Sequence, residues 1–161
     1  MYLHHAKYYE TDQMGIVHHS NYIRWMEEAR IDFMDKMGFG YRAMEELGII
    51  SPVLSVRCEY RDMVRFDDTV EIDASIKAYN GIKLEISYVM RNLGVLGVKE
   101  RESAGADAGK GASEKSKPCT LGESSHCFLV NGKPVSLKRS FPELHELFMR
   151  YAPTKVRADK S

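Results

Sequence analysis

Asp12 is the side chain in this sequence best placed to do chemistry. It lies in Tyr8-Tyr9-Glu10-Thr11-Asp12-Gln13-Met14-Gly15-Ile16-Val17-His18-His19-Ser20-Asn21-Tyr22, and a long helical pattern comes directly after it. A Thr-Asp-x-x-Gly turn presents one carboxylate, and the helix start beyond it offers unpaired backbone N–H groups and the positive end of the macrodipole. A carboxylate beside an oxyanion-binding helix terminus is the minimum apparatus for attack on a carbonyl, so acyl transfer or hydrolysis is the first hypothesis. Taken alone, an Asp in such a turn is ordinarily a turn or cap residue.

Other reactive side chains give weaker patterns. His18 and His19 invite a metal, but adjacent histidines point in different directions and no third ligand occurs at an established spacing, so no metal site is expected. A Ser/His/Asp triad would need a Gly-x-Ser-x-Gly elbow, which is absent. His126, between Ser125 and Cys127, reads as a structural histidine. The three cysteines, Cys58, Cys119 and Cys127, are odd in number and lack C-x-x-C spacing. They suggest neither a disulfide framework nor a zinc ribbon, and point to a reducing compartment. Glu27, on the helix, reads without further context as a partner for Arg24 or Arg30 or as a cap on the macrodipole. Met26, Met34 and Met37 are core packing first, with a share able to line an apolar tunnel.

These residues need a scaffold. Residues 1–9 read as a strand. Over residues 21–37, Tyr22, Met26, Ala29, Phe33 and Met37 recur at helical spacing, with Ser20 or Asn21 as cap and Gly38 as terminator. The wide apolar stripe predicts a helix buried on several sides. Residues 41–47 give a second short helix before Gly48. Alternation then marks strands at 52–64, 68–79 and 83–92, with Val70, Ile72, Ala74 and Ile76 set against Glu71, Asp73, Ser75 and Lys77. Turn chemistry at 65–68 and Asn80-Gly81 predicts that these strands are consecutive and antiparallel. Residues 97–120, rich in Gly, Ala, Ser, Lys and Glu, read as a flexible excursion. A strand resumes at 122–129, a turn comes next at Asn131-Gly132, and Ser140-Phe141-Pro142-Glu143 predicts a capping box opening a last helix. The sum is an α+β architecture in which an antiparallel sheet wraps a long central helix. Pairing the edge strand with a second subunit is one remedy for its exposure.

With 161 residues and 43% hydrophobic content, the chain suits one globular domain spanning residues 1–161. Lys+Arg and Asp+Glu both number 23, which argues against nucleic-acid or membrane-surface binding. No apolar run suggests a signal peptide or a membrane span, so a cytoplasmic protein is expected.

The N-terminal motif Tyr9, Thr11-Asp12, Gly15-Ile16-Val17, His19, Asn21-Tyr22, Trp25, Glu27 and Ala29-Arg30 resembles the signature of hot-dog-fold acyl-CoA thioesterases. The similarity is greatest to the 4-hydroxybenzoyl-CoA thioesterase-like group, including its Tol–Pal-associated type. Arg65-Phe66-Asp67-Asp68, residues 122–128 and Gly132-Lys133-Pro134-Val135 extend it over nearly the whole chain outside 97–120. The resemblance implies a hot-dog fold, with Asp12 as nucleophile or general base and the His19 backbone N–H polarising the thioester carbonyl. It implies that Glu27 reads the distal polar end of the acyl group. Where the 4-hydroxybenzoyl enzymes carry adjacent arginines for the CoA phosphates, this chain has Asn80-Gly81 with Lys83 beyond. Asn80 and Lys83 are therefore the expected substrate contacts, and 4-hydroxybenzoyl-CoA itself is disfavoured. The implied protein is a homo-oligomer, dimer or tetramer, acting on acyl-CoA without a separate cofactor, since coenzyme A is part of the substrate. Two alternatives remain: a non-catalytic hot-dog module that binds acyl-CoA or acyl-carrier ligands, and a hot-dog dehydratase, whose catalytic His pattern fits this motif poorly.

Overall fold

The structure is a computed structural model and describes residues 1–96 and 117–153. Its elements are β1 (Tyr2–His5), α1 (Ser20–Lys36), α2 (Tyr41–Glu46), β2 (Ile49–Ile50), β3 (Val53–Tyr60), β4 (Asp68–Tyr79) and β5 (Lys83–Val95). They continue with β6 (Thr120–Cys127), β7 (Leu129–Val130), β8 (Lys133–Pro134), α3 (Leu137–Ser140) and α4 (Pro142–Tyr151). Five strands form one antiparallel sheet in the order β1-β4-β5-β6-β3, and β2, β7 and β8 form a small second sheet.

α1 lies against one face of the large sheet and is buried on that side, not on the several sides its wide stripe predicts, since Ile23, Arg24, Glu27 and Glu28 are exposed in this chain. Tyr22, Trp25, Met26 and Ala29 are buried against the inward residues of β4 and β5, among them Val70, Ile72, Ile86, Tyr88 and Met90. In register, Ile72 opposes Met90 and Ile76 opposes Ile86, so the alternation read in each strand becomes one continuous apolar face. Each such side chain, fully buried, is worth about 1.5–3 kcal/mol. Gly122 leaves room for the end of the Met26 side chain, because a Cβ there would stand 2.7 Å from the Met26 Sδ.

Several expectations change. Strand 68–79 is found as read, and Asn80-Gly81 closes the β4–β5 hairpin, with Asn80 Oδ1 accepting the N–H groups of Ile82 and Lys83. β3, however, does not pair with β4. It joins β6 at the far edge of the sheet, while β4 pairs with β1 and β5. The turn at 65–68 is real, with Arg65 N–H donating to Asp68 Oδ2 and Asp67 at φ 71°, but it opens β4 after the chain has crossed the sheet. Turn chemistry locates a strand start without saying which neighbour the strand takes.

The first strand stops at His5, and Tyr8–Glu10 is a 3-10 turn. His19, not Ser20 or Asn21, occupies the cap of α1 and makes no capping bond with its side chain; the His18 ring instead accepts the Ser20 N–H at 3.3 Å. Ser140 belongs to α3, so the expected capping box does not form; Phe141 precedes α4, and Pro142 opens it. The excursion expected at 97–120 lies outside the described residues as far as 116. Within its last residues Cys119 is buried with its N–H on the Met90 carbonyl, and Thr120 begins β6.

β3 is an exposed edge. Val53, Leu54, Val56 and Tyr60 all leave large apolar surface open on a strand paired on one side only. Such an edge is a template for pairing with another chain.

Candidate active site

Asp12 is carried at the tip of a short hairpin between β1 and α1. The Glu10 carbonyl accepts the His18 N–H at 2.8 Å, Thr11 bridges Val17, and the Asp12 N–H donates to the Ile16 carbonyl at 2.9 Å. At the tip, the Gly15 N–H returns to the Asp12 carbonyl at 2.9 Å, with Gly15 at φ 71°. The Met14 N–H donates to Asp12 Oδ1 at 2.8 Å, an Asx turn that fixes the carboxylate's orientation. Among the described residues, Oδ2 has no hydrogen-bond partner, and the side chain is half-buried.

The return arm of the hairpin runs directly into α1. His19 is its cap residue, and among the described residues its N–H donates to nothing. Its carbonyl accepts the Tyr60 hydroxyl at 3.0 Å. Burial pushes the Tyr60 hydroxyl up to about 12, so it stays protonated and remains a donor. The His18 ring bonds the Ser20 hydroxyl at 2.8 Å, and the rings of His18 and His19 lie 4.1 Å apart, tilted. Both imidazoles are exposed and occupied with local contacts. Among the described residues no group of three His, Cys, Asp or Glu side chains is placed to hold a metal.

What holds the hairpin on the helix is Glu10, for which sequence reasoning found no role. It is 5% exposed. Its Oε1 accepts the Trp25 indole N–H at 2.8 Å, and its Oε2 accepts the Lys7 N–H at 2.7 Å and meets His4 Nε2 at 3.0 Å. The Glu10 carbonyl also accepts the Asn21 side-chain amide at 2.8 Å, which explains why Asn21 does not cap α1. His4 stacks on Trp25 at 4.4 Å. Burial alone would raise the Glu10 pKa, but the bonds from His4, the Lys7 N–H and Trp25 outweigh it and hold the carboxyl below its usual range. Glu10 is thus an anion that joins β1, the turn and α1. The available sequence signal was its place two residues before Asp12.

Glu27 lies on the same helix two turns beyond His19 and is exposed. It forms no ion pair with Arg24 or Arg30 among the described residues, so the plain helical-pair reading is not what the structure has. It borders a small cavity with Arg30, Tyr88, Ser124 and His126. His126 is pushed down to about 4, by burial first and then by the charge of Arg30, and is neutral. Its Nε2 bonds the Ser124 hydroxyl at 2.8 Å, which meets the Tyr88 hydroxyl at 2.9 Å.

Asn80 and Lys83 are not brought to Asp12 within one chain. The β4 end nearest Asp12 is Asp68–Thr69, which pairs with His5 and adjoins Ala6. Asn80 comes eleven residues later, about 36 Å along the strand. There Asn80 Oδ1 serves the hairpin and the Lys83 ammonium pairs with Glu85 at 2.9 Å.

Known proteins share this architecture. The profile of the thioesterase-like superfamily matches residues 7–143. The Bacillus subtilis (strain 168) protein YneP, whose name proposes an acyl-CoA thioesterase, is 32% identical over 144 residues, covering 89% of this chain and 90% of that one. Among solved structures, the DHNA-CoA thioesterase of Staphylococcus aureus superposes with a TM-score of 0.75 at 29% identity, covering 92% of this chain and 87% of that one. A protein of Aquifex aeolicus gives 0.72 at 28% identity, covering 91% and 97%. The hot-dog arrangement of sheet and helix is therefore shared with thioester hydrolases, and this chain belongs to the thioesterase-like superfamily.

Proposed function

We propose that this protein hydrolyses acyl-CoA thioesters to a free acid and CoA, with Asp12 and the His19 N–H as its working groups. The observation that carries the reading is the hairpin: among the described residues it fixes one carboxylate oxygen and leaves the other without a partner, and its return arm ends at an N–H with no partner among them, at the head of a seventeen-residue helix. A thioester carbonyl oxygen bound at that N–H gains a donor and the helix dipole as negative charge develops. Asp12 then either attacks the carbonyl carbon or takes a proton from water that attacks it. In both routes the C–S bond breaks, CoA leaves as the thiol and water supplies the acid's new oxygen; the first passes through an anhydride with Asp12 that water opens. The names of YneP and of the Staphylococcus aureus enzyme support acyl-CoA as the substrate class. The motif from Tyr9 to Arg30 supports placement in the 4-hydroxybenzoyl-CoA thioesterase-like, Tol–Pal-associated group.

The reading includes a cytoplasmic homo-oligomer. No helix among the described residues is long and apolar enough to cross a membrane. Two copies pairing antiparallel along β3 would cover the exposed edge and set the Tyr60 end of one strand against the Val53 end of the other. Val53 pairs with His126, and Cys127 with Lys83, so Asn80 and Lys83 of one subunit approach the Asp12 end of the next. That removes the distance found within one chain and puts the active site between subunits. Free-thiol release from a panel of acyl-CoAs tests the reading. Turnover of at least one is expected; tight binding with no thiol release would make the protein a binding module instead.

A further inference from the structure

Neither the apolar core nor the Asp12 hairpin makes use of Arg30 on α1. It is 4% exposed, yet among the described residues it makes no ion pair. Its guanidinium stands 5.7 Å from the centre of the Tyr41 ring, a partial compensation. Burying a cation without an anion is costly, and no Arg30 nitrogen is among the fully buried unpartnered atoms of the described residues, so the guanidinium stays open to a partner from outside.

The cation borders a small cavity between α1 and β3. Two contacts show α1 running beside β3, the Tyr60 hydroxyl to the His19 carbonyl and Cys58 Sγ to Met26 Sδ at 3.4 Å, and further along Val53 and Val56 line one cavity with Arg30. Ile23, Glu27 and Arg30 stand at i, i+4 and i+7, so they form one stripe leading from the helix start. From His19 to Arg30 is about 16 Å along the helix axis. The far end is a cavity of about 50 Å3, room for a carboxylate or one or two waters but not for a chain. Its walls are polar in a specific way: Arg30 supplies charge, while Tyr88 and Ser124 supply hydroxyls. His126 is neutral there, and Glu27, the other charge at the cavity, is exposed to solvent.

We infer that this cavity is a specificity pocket in which Arg30 binds a terminal carboxylate on the far end of the acyl group, making thioesters of dicarboxylic acids favoured substrates. The inference rests on the hydrolase reading for its substrate but on the buried guanidinium for its chemistry. Arg fits a carboxylate with two parallel N–H···O bonds, and when the His126 Nε2–H donates to Ser124 and Ser124 to Tyr88, the Tyr88 O–H is free to donate to a remaining carboxylate site. Water screens Glu27 more than it screens Arg30, so the cavity's effective charge is positive.

The test compares CoA thioesters of matched length ending in methyl, hydroxyl or carboxyl, over several chain lengths. Wild-type protein is expected to favour the carboxyl end in kcat/KM by on the order of 10- to 100-fold, the range of one charge-assisted contact. In Arg30→Met that ratio collapses toward unity. No preference in the wild type, or an unchanged ratio in the variant, overturns the inference. A hydroxyl end that outperforms the carboxyl also overturns it, since Arg30 and Glu27 would then read a donor and acceptor together. Calorimetry with non-hydrolysable thioether analogues separates this from the hydrolase reading. A carboxyl preference in binding without thiol release refutes hydrolysis and retains the pocket, whereas equal binding of all analogues refutes the pocket.

Discussion

Replacing Glu10 by glutamine keeps the side chain's shape and removes its charge, and the consequences can be worked from its partners. The carboxylate accepts from two N–H donors that have no alternative, Trp25 Nε1 on one oxygen and the Lys7 backbone on the other. An amide offers one oxygen. Whichever way it turns, its NH2 faces one of those donors and leaves a buried N–H unpaired, at about 1–3 kcal/mol. The bond that survives loses its charge assistance, about a further 1 kcal/mol. Glu10→Gln should therefore destabilise the protein by about 2–4 kcal/mol in urea unfolding at pH 7, a large share of the ~5–15 kcal/mol typical of a domain. The pH dependence has a definite sign. Because the folded carboxyl is held below its usual range, Glu10 stabilises the protein above the ordinary carboxylate pKa, and that stability is lost as pH falls through the lower folded value. This acid-side slope should shrink in the variant. Since Glu10 seats the hairpin on α1, kcat should also fall by on the order of tenfold or more, as misplacement of catalytic groups does. A stability loss under about 0.5 kcal/mol with unchanged kcat would refute the role given to the Glu10 anchor.

Two further substitutions probe the scaffold. Gly122→Ala drives a methyl into the Met26 Sδ at 2.7 Å and should cost about 1–3 kcal/mol as a lowered thermal midpoint, because Met26 is buried; an unchanged midpoint would mean that the Met26 side chain swings aside freely. Leu54→Lys places a charge on the exposed apolar edge of β3 and should shift the assembly toward monomer by light scattering. An unaltered assembly would put the subunit contact elsewhere.

The elements were legible where local pattern and tertiary role coincide. The 68–79 strand, the Asn80-Gly81 hairpin and the α1 stripe were all visible, because alternation, φ > 0 turn residues and a 3.6 period each mark one local geometry. The placement of β3 was not, since pairing with β6, far along the chain, leaves no local mark. Ser20, Asn21 and Ser140 are good caps by type, but the neighbouring His18 ring claimed Ser20, the Glu10 carbonyl claimed Asn21, and the short helix α3 absorbed Ser140. At the site, Asp12 and the helix start could be read because both lie in one segment. Glu10 and Arg30 could not, because a charged residue's burial and its partners depend on what folds over it. Asn80 and Lys83 came through resemblance alone, and one chain leaves them about 36 Å along β4 from the hairpin.

If the Asp12 carboxylate does the chemistry while other groups build the hairpin that carries it, the two roles can be separated in one variant. Asp12→Asn does so, because an amide oxygen can still accept the Met14 N–H and keep the Asx turn. Thiol release from the best acyl-CoA of the panel should fall by on the order of 10²–10⁴-fold, the contribution of a positioned acid–base group, with circular dichroism and assembly unchanged. Near-wild-type release by a folded Asp12→Asn protein would contradict the assignment of the chemistry to Asp12.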